Sequence, residues 1–435
     1  MLLLFSFNKL FMEDMLMNVV APFWGLCYAG KSTKSNNLSR LVCPPYDVIS
    51  AEQKEKLKSK HEFNAVNLEF PSSYDDAKQK LEEWIEREVL TFSNSPSLYV
   101  YEISYKINDQ TYRMHGVIGG LKLPGPKEHY ILNSKSTFQA NPTASIKLLE
   151  ATKCQFSPVC VLYEDNERKI FDLISEITSS TYLAKAKQKG RAHKIWEVSD
   201  ESKISEIVEL FSKKTFYISG GDQIFRAACS YKEKLKLEEN ISDEHPANYV
   251  MTLFIEKNDP ALAVLPTHRI VSNMDMFDSD DILQRASKYF EITKCKTLKS
   301  ARKTMFGLKR ENKTAFGLYA DGIYSVLVLK DLDIMEEICK HSEAYRKLDV
   351  AVLHKLFFEK ILDVASDQVG YVQSASEACE AVDCGDACFA VFLSATRINE
   401  IIDVVESGES MPQNSALFFP KPTSGFVFYS LDHKI

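Results

Sequence analysis

The sequence predicts an α+β fold in which strands and helices mix irregularly, rather than the regular alternation of a doubly wound parallel sheet. Three observations lead there. Short alternating or continuously apolar runs recur along the chain, as in 98–105, 111–123 and 314–329, and read as strands. Segments with helical spacing lie between them at uneven intervals, for example Ala77, Leu81, Trp84, Ile85 and Val89. The 435 residues are 45% apolar and 26% charged, ordinary for a globular chain that buries its core without disulfide or metal staples. Glycine is scarce, 16 residues where about 7% is usual, which excludes collagen-like and glycine-linker proteins.

Pro44-Pro45 forbids helix and holds 42–50 extended. Ser50 with Gln53 starts a capping box, and a charged helix follows to about residue 60. Residues 64–70 alternate like a strand, and 74–90 form a helix. Two strands flank the Asn108-Asp109 turn. Asn141-Pro142 opens a helix that runs to about 152. A buried strand spans 157–163, a helix 199–212 and a strand 215–219. That strand ends at Gly220-Gly221, and a helix follows from Asp222 to about 237. Strands at 248–255 and 261–265 flank Asp259-Pro260. Ser279 caps a helix at 280–289, and 314–319 with 323–329 form a hairpin around Asp321-Gly322. A helix at 348–362, a strand at 389–393, a helix at 397–406 and a strand at 425–429 complete the order. The organisation expected is an extension at 1–20, a core region at 21–272 and a C-terminal α+β region at 273–435, with the seam near 273–280.

The net charge of −7 argues against nucleic acid as a partner, since no global basic field exists. No stretch approaches the ~20 apolar residues of a membrane span. The apolar run at 2–7 is too short for a secretory signal, and the domain is expected to start near Met15 or Met17. The ten cysteines include no C-x-x-C pair and read as reduced, mostly buried thiols of a cytoplasmic protein. A metal site at Cys379, Cys384 and Cys388 lacks a nearby histidine, so no metal site is expected.

Residues 25–32, Gly-Leu-Cys-Tyr-Ala-Gly-Lys-Ser, match the phosphate-binding loop G-x-x-x-x-G-K-[ST] letter for letter. In such a loop Lys31 would reach the terminal phosphates and Ser32 a magnesium ion. The context is wrong. Pro22 lies in the preceding segment, Tyr28 is bulky where backbone must approach phosphate, and Pro44-Pro45 leaves room for only about two turns of helix.

Several ordered segments together resemble one family. They are Ala21-Pro22-Phe23-Trp24-Gly25-Leu26, Cys43-Pro44-Pro45-Tyr46-Asp47-Val48-Ile49-Ser50, Asn64-x-x-x-Leu68-Glu69, Ser157-Pro158, Leu265-Pro266-Thr267-His268-Arg269, Leu348-Asp349-Val350-x-x-Leu353-His354, Thr396-Arg397, Met411-Pro412-Gln413-x-Ser415 and Phe419-Pro420-Lys421. The family is the bacterial and archaeal domain of unknown function 1015, some members of which are labelled ParB-like. The resemblance implies a ParB/sulfiredoxin-like mixed core with an additional C-terminal region. It also implies a phosphate-holding turn of the form Asp-Gly-His-His-Arg-Tyr between a strand and a helix. There, free amides, the helix dipole and the arginine fork favour an anion. Related free-amino-acid kinases use a carboxylate base beside this turn.

This chain departs from that pattern at the turn itself, Ser219-Gly220-Gly221-Asp222-Gln223-Ile224. Only Gly221 keeps its match. Asp222 and Gln223 stand at the two histidines and Ile224 at the arginine. Arg226 lies two residues further along the helix, where compensation requires it to point back at the turn. A second patch, usually His-Glu-x-Thr followed by Asp-Arg, reads Ser134-Lys135-Ser136-Thr137 and later Ala144-Ser145. The expected function is therefore a catalytically degenerate binder of a nucleotide or small anion. The alternatives are an active ATP-dependent small-molecule kinase, with ATP and magnesium as cosubstrate, and a phosphate-loop NTPase through 25–32. Ser219, Gly220, Gly221, Thr267, His268, Arg269 and Lys421 are the candidate anion ligands. Asp47 and Glu69 are the candidate catalytic carboxylates if activity is retained, although Asp47 also suits an Asx turn capping the next helix. His354, on an apolar helix face, is expected to be a satisfied core histidine. The substrate and oligomeric state are open at this level.

Overall fold

A computed structural model describes residues 19–29, 36–45, 49–125, 127–133, 142–274 and 277–432. The chain divides into two compact units, one of residues 1–132, 138–262 and 420–435, the other of 133–137 and 263–419. The second is thus inserted in the sequence of the first.

The first unit is built on a nine-stranded sheet. Its order is Ile131–Asn133, Phe216–Gly220, Val159–Tyr163, Tyr249–Glu256, Gln110–Lys122, Leu98–Ile107, Arg191–Val198 and Ala184–Gln188, with Val20–Ala21 added to Gln110–Lys122. The pairing of Tyr249–Glu256 with Val159–Tyr163 is parallel, and its pairing with Gln110–Lys122 is antiparallel. Val100, Val117, Val161 and Phe254 on one face pack against Ile170, Ile174 and Ile177 of the helix Lys169–Thr178, and Ile207, Val208 and Phe211 of the helix Glu201–Phe211. Both helices repeat apolar residues every three to four positions, so each buries one stripe. The opposite face carries Tyr99 and Tyr101. These meet Phe23 (centroids 5.5 Å) and Phe426 (5.4 Å), beside a small sheet ordered Leu90–Phe92, Gly25–Tyr28, Phe428–Ser430 and Cys154–Gln155.

The second unit centres on a six-stranded, wholly antiparallel sheet. Its order is Phe290–Cys295, Ile323–Leu329, Ala315–Ala320, Phe389–Phe392, His268–Val271 and Val369–Val372. Helices Leu298–Arg310 and Ala375–Asp383 cover one face through Ala301, Met305, Ala378 and Cys379. On the other face Phe357 stacks edge-on to Phe316 at 5.1 Å.

Several expectations change in the structure. Residues 64–70 are not a strand but carry the short helix Val66–Glu69. The cause is Asn64, fully buried, whose Oδ1 accepts from the Val66 amide at 2.9 Å while its Nδ2 donates to the Arg40 carbonyl at 2.7 Å. That side chain turns the backbone locally, which alternation alone does not reveal. Ala263–Leu265 does not return against Tyr249–Glu256; it pairs with Leu417–Phe419. The helix at 279–286 is capped by Asp278, not Ser279, because the Asp278 carboxylate accepts from the Asp280 and Asp281 amides. The helix expected at 348–362 is α-helical only at Asp349–Ala351 and continues as a wider π-helix over Val352–Leu362. The Asn108-Asp109 and Asp321-Gly322 turns have positive φ at both positions and join their hairpins as expected.

Candidate functional site

The turn after Phe216–Gly220 is fixed by its glycine. Gly221 sits at φ +79°, and a Cβ there would lie 2.9 Å from the Val159 Cα, so only glycine brings the helix Asp222–Glu238 this close to the neighbouring strand. The strand register shifts between Ile218 and Gly220, and Ser219 donates its hydroxyl to the Cys160 carbonyl at 3.2 Å. Asp222, 4% exposed, is bound by Arg226 Nε at 3.0 Å one turn along. Arg226 thus neutralises the buried acid at the helix start.

Beside this turn lies a cavity of about 420 Å³, wholly within the first unit. Gln223 and Ile224, in the first turn of the helix after Gly221, form part of its wall. Facing them are Glu69 at the end of its short helix, Tyr74, Ser145 and Ser157. Ser157 donates to Glu69 Oε1 at 2.7 Å and is also in close hydrogen-bond contact with Ser424. Gln155 is held differently, with its amide bonded to the Tyr249 carbonyl and the Met251 amide. Leu148, Leu149, Phe156, Ala227 and Ala228 supply the apolar remainder. Among the described residues of the wall, Glu69 is the single charged side chain. The volume falls within the ~300–1,000 Å³ of small-molecule sites, and a mostly apolar wall with a few fixed polar groups is their usual composition.

Thr267, His268 and Arg269 lie elsewhere, in the second unit, with His268 and Arg269 opening the interior strand next to the edge of its sheet and Thr267 just before it. Arg269 is fully buried. Its guanidinium donates to the Thr267 carbonyl, to the Gln413 carbonyl at 3.2 Å, to the Asn414 carbonyl at 3.4 Å and, through Nε, to His354 Nε2 at 3.3 Å. The Tyr371 ring covers it at 5.2 Å. The fork therefore ties together three segments of the unit and turns inward rather than towards an anion. His268 Nδ1 accepts from the Leu393 amide at 3.3 Å. Burial pushes both His268 and His354 down to about 4, with nearby arginine charge adding to the effect, so both are neutral imidazoles. His354 is the hydrogen-bonded core histidine the helix pattern suggested.

The same unit buries a second polar knot. Lys309 Nζ meets Asp349 Oδ2 at 2.9 Å and Glu400 Oε1 at 2.9 Å, and Arg397 donates to the Lys309 carbonyl and to Asn312 Oδ1. Asp349, Arg397 and His354 all come from segments that the sequence singled out.

Lys421 is half-buried in the segment that returns to the first unit. Asp47, Lys31, Ser32 and 134–137 lie outside the described residues. Gly25, first residue of the phosphate-loop match, is within the strand Gly25–Tyr28, where its amide donates to Ser93 Oγ at 3.1 Å and its carbonyl accepts from the Ser93 amide at 2.9 Å. A glycine so engaged does not form the start of a phosphate cradle. The polar wall of Gln155 and Tyr74 was missed in the sequence. The pairing of Ser157 with Glu69 was not foreseen either, although Ser157-Pro158 stood out. Among the described residues, no group of three or more His, Cys, Asp or Glu could hold a metal ion, and no helix is long and apolar enough to cross a membrane.

A family model, described as Protein of unknown function (DUF1015), matches residues 20–351. The chain belongs to the DUF1015 family. The match runs through the Gly221 turn and the Glu69 helix of the first unit and into the second. No curated protein matches. Among solved structures, a free serine kinase in complex with AMP is similar at 11% identity, over 70% of this chain and 86% of the other, with a TM-score of 0.32. A conserved hypothetical protein from Pyrococcus furiosus is similar at 10% identity over 73% and 96%, TM-score 0.32. SbnI with a C-terminal truncation, from Staphylococcus aureus, is similar at 9% identity over 69% and 82%, TM-score 0.32. Likenesses this distant assign this DUF1015 chain neither an activity nor a ligand.

Proposed function

We propose that this DUF1015 protein is a cytoplasmic, catalytically degenerate member with a ParB/sulfiredoxin-like core that binds a nucleotide or comparable small ligand in the cavity beside Gly221. One observation carries the reading: Gln223 and Ile224, at the positions of the second histidine and the arginine, line a ligand-sized cavity together with Glu69. The wall has exchanged a cation for an amide and an aliphatic side chain. Phosphate is then left to backbone amides at the helix start, next to the buried Asp222, and that grip is weak. Sugar hydroxyls and ring amines find better partners in Glu69, Ser145 and Gln223. The ligand is held by its uncharged part.

Calorimetry with ATP, AMP and adenosine tests this. All three are expected to bind with affinities within about tenfold of one another, a difference of about 1.4 kcal/mol, and ATP is expected to remain intact. Absence of binding by all three overturns the reading. One alternative has an observation in its favour, since Glu69 faces the same turn and could serve as the base of a small-molecule kinase with ATP and magnesium. ADP formation in the presence of free amino acids, abolished by Glu69→Gln, would establish that alternative instead.

A further inference from the structure

The nine-stranded sheet of the first unit has one region of its surface set apart by charge. Register places Glu102 opposite His115 on one side and Lys194 on the other, and Lys194 opposite Lys185. Two residues along, Ser104 lies between Arg113 and Ala192, and Ala192 opposite Lys187. Side chains alternate faces along a strand and match faces across a ladder. All of these therefore share one face, away from Tyr101 and His193: the face whose inner part the helices Lys169–Thr178 and Glu201–Phe211 cover, here reaching its strand ends. Lys106 extends it one step further. Lys106, Arg113 and Lys187 are exposed, and the Lys194 side chain is 37% exposed. Against these cations stands Glu102, 7% exposed at the side chain, whose carboxylate is already paired with His115 at 3.2 Å and Lys194 at 3.3 Å.

Lysines on an edge strand are a common guard against edge-to-edge pairing. That accounts for Lys185 and Lys187, which lie on the edge strand Ala184–Gln188. It does not account for Lys194 on the second strand or Arg113 on the fourth. Like charges directly opposite each other weaken a ladder, yet Lys185 and Lys194 are such a pair. Their ammonium groups both lie over the Tyr182 ring, at 5.5 and 6.0 Å, which relieves only part of the repulsion. The ion pair with Glu102 offsets Lys194, so what sets this region apart is the further positive charge of Arg113, Lys185 and Lys187 gathered beside it, a field that draws anionic partners.

We infer that the strand-end part of this face, carrying Arg113, Lys185, Lys187 and Lys194, is a docking surface for an acidic protein segment. Charge complementarity selects an anionic partner. The rings on the face select a peptide over a single-stranded nucleic acid, because Tyr182 is covered by two lysines and Trp196 is buried, so neither offers a platform for a base. Cations repeat at i, i+2 along the edge strand, about 6.6 Å apart, which matches alternate carboxylates on an extended chain. The surface is separate from the ligand cavity and does not depend on its occupant.

Fluorescence anisotropy on the full chain, with a labelled polyglutamate peptide and a labelled single-stranded DNA of equal charge, tests the inference. The peptide is expected to bind, to weaken several-fold between about 50 mM and about 200 mM salt, and to lose at least about tenfold in affinity in Lys185→Glu/Lys187→Glu. The exposed pair Lys299→Glu/Lys303→Glu in the second unit makes the same change in net charge and is expected to have no effect. Equal loss in both variants reduces the effect to net charge and overturns the inference, as does absence of peptide binding. Tighter binding of DNA, or a dimer in sedimentation that the reversal dissociates, overturns the choice of partner. A thermal midpoint for each variant separates lost binding from lost fold.

Discussion

The Gly221 turn and the Thr267-His268-Arg269 segment read alike in sequence: each places polar residues at a strand end, in a region with anion-binding chemistry. In the structure they do opposite work. The Gly221 turn borders a cavity whose wall is open to a ligand. Arg269 is sealed in a sheet, with its donors on three carbonyls and an imidazole. The difference lies in where the donors find partners. A guanidinium surrounded by main-chain carbonyls of its own unit is a staple, because removing it strands several buried acceptors at once. A carboxylate that accepts from Ser157 and lines a cavity stands instead where a ligand can reach it.

The largest effect that would sharpen this contrast is expected at Arg269. Arg269→Leu leaves buried carbonyls and His354 without their donor and is expected to destabilise the protein by about 3–5 kcal/mol, read by denaturant unfolding. A loss under about 1 kcal/mol would return the arginine to the list of ligand groups. Next come the buried histidines. His193, His268 and His354 are each pushed down to about 4 by burial. The unfolded chain takes up protons below about 6.5 while the folded chain resists until about 4. Stability is therefore full above the unfolded value and falls as pH drops from about 6.5 to about 4, by up to roughly 3 kcal/mol per histidine. Unfolding free energies measured across that window check the slope, and a flat profile would contradict the buried neutral state. Gly221→Ala is expected to cost about 1–3 kcal/mol from a strained φ and the Val159 contact, seen as a lowered thermal midpoint. The smallest effect belongs to the cavity: Ser157→Ala is expected to cost about 1 kcal/mol of stability or less, yet to change ligand affinity more than Arg269→Lys does. If the two affinities move together, the contrast between site and staple fails.

Much of the fold was legible. Tight turns with asparagine, aspartate or glycine gave the hairpins, because their positive φ admits few other residues. The hairpin Ala184–Gln188 with Arg191–Val198 escaped notice although Lys189-Gly190 forms its turn with both φ positive; the apolar side of its first strand is only alanine, Ala184 and Ala186, alternating with lysine, a weak strand signal. The helix Val66–Glu69 was missed because one buried asparagine, not periodicity, sets it. Of the candidate site, Glu69 and the Gly221 turn were both singled out in the sequence, for separate roles, and the structure lines one cavity with Glu69 and with Gln223 and Ile224 of the helix after that turn. That Arg269 faces inward was not legible, since its acceptors at 413 and 414 are main-chain carbonyls that any sequence supplies.

The strand Phe428–Ser430 completes the small sheet between Gly25–Tyr28 and Cys154–Gln155, more than 150 residues after the chain has left the first unit at 262. During synthesis, therefore, the inserted unit emerges in full before its host can close. The host must persist on the ribosome with Tyr99, Tyr101 and Phe23 awaiting the aromatic residues of the final segment. A nascent chain halted at 419 is expected to hold a finished second unit and an unfinished first one, so chaperone demand should fall on the half made earliest.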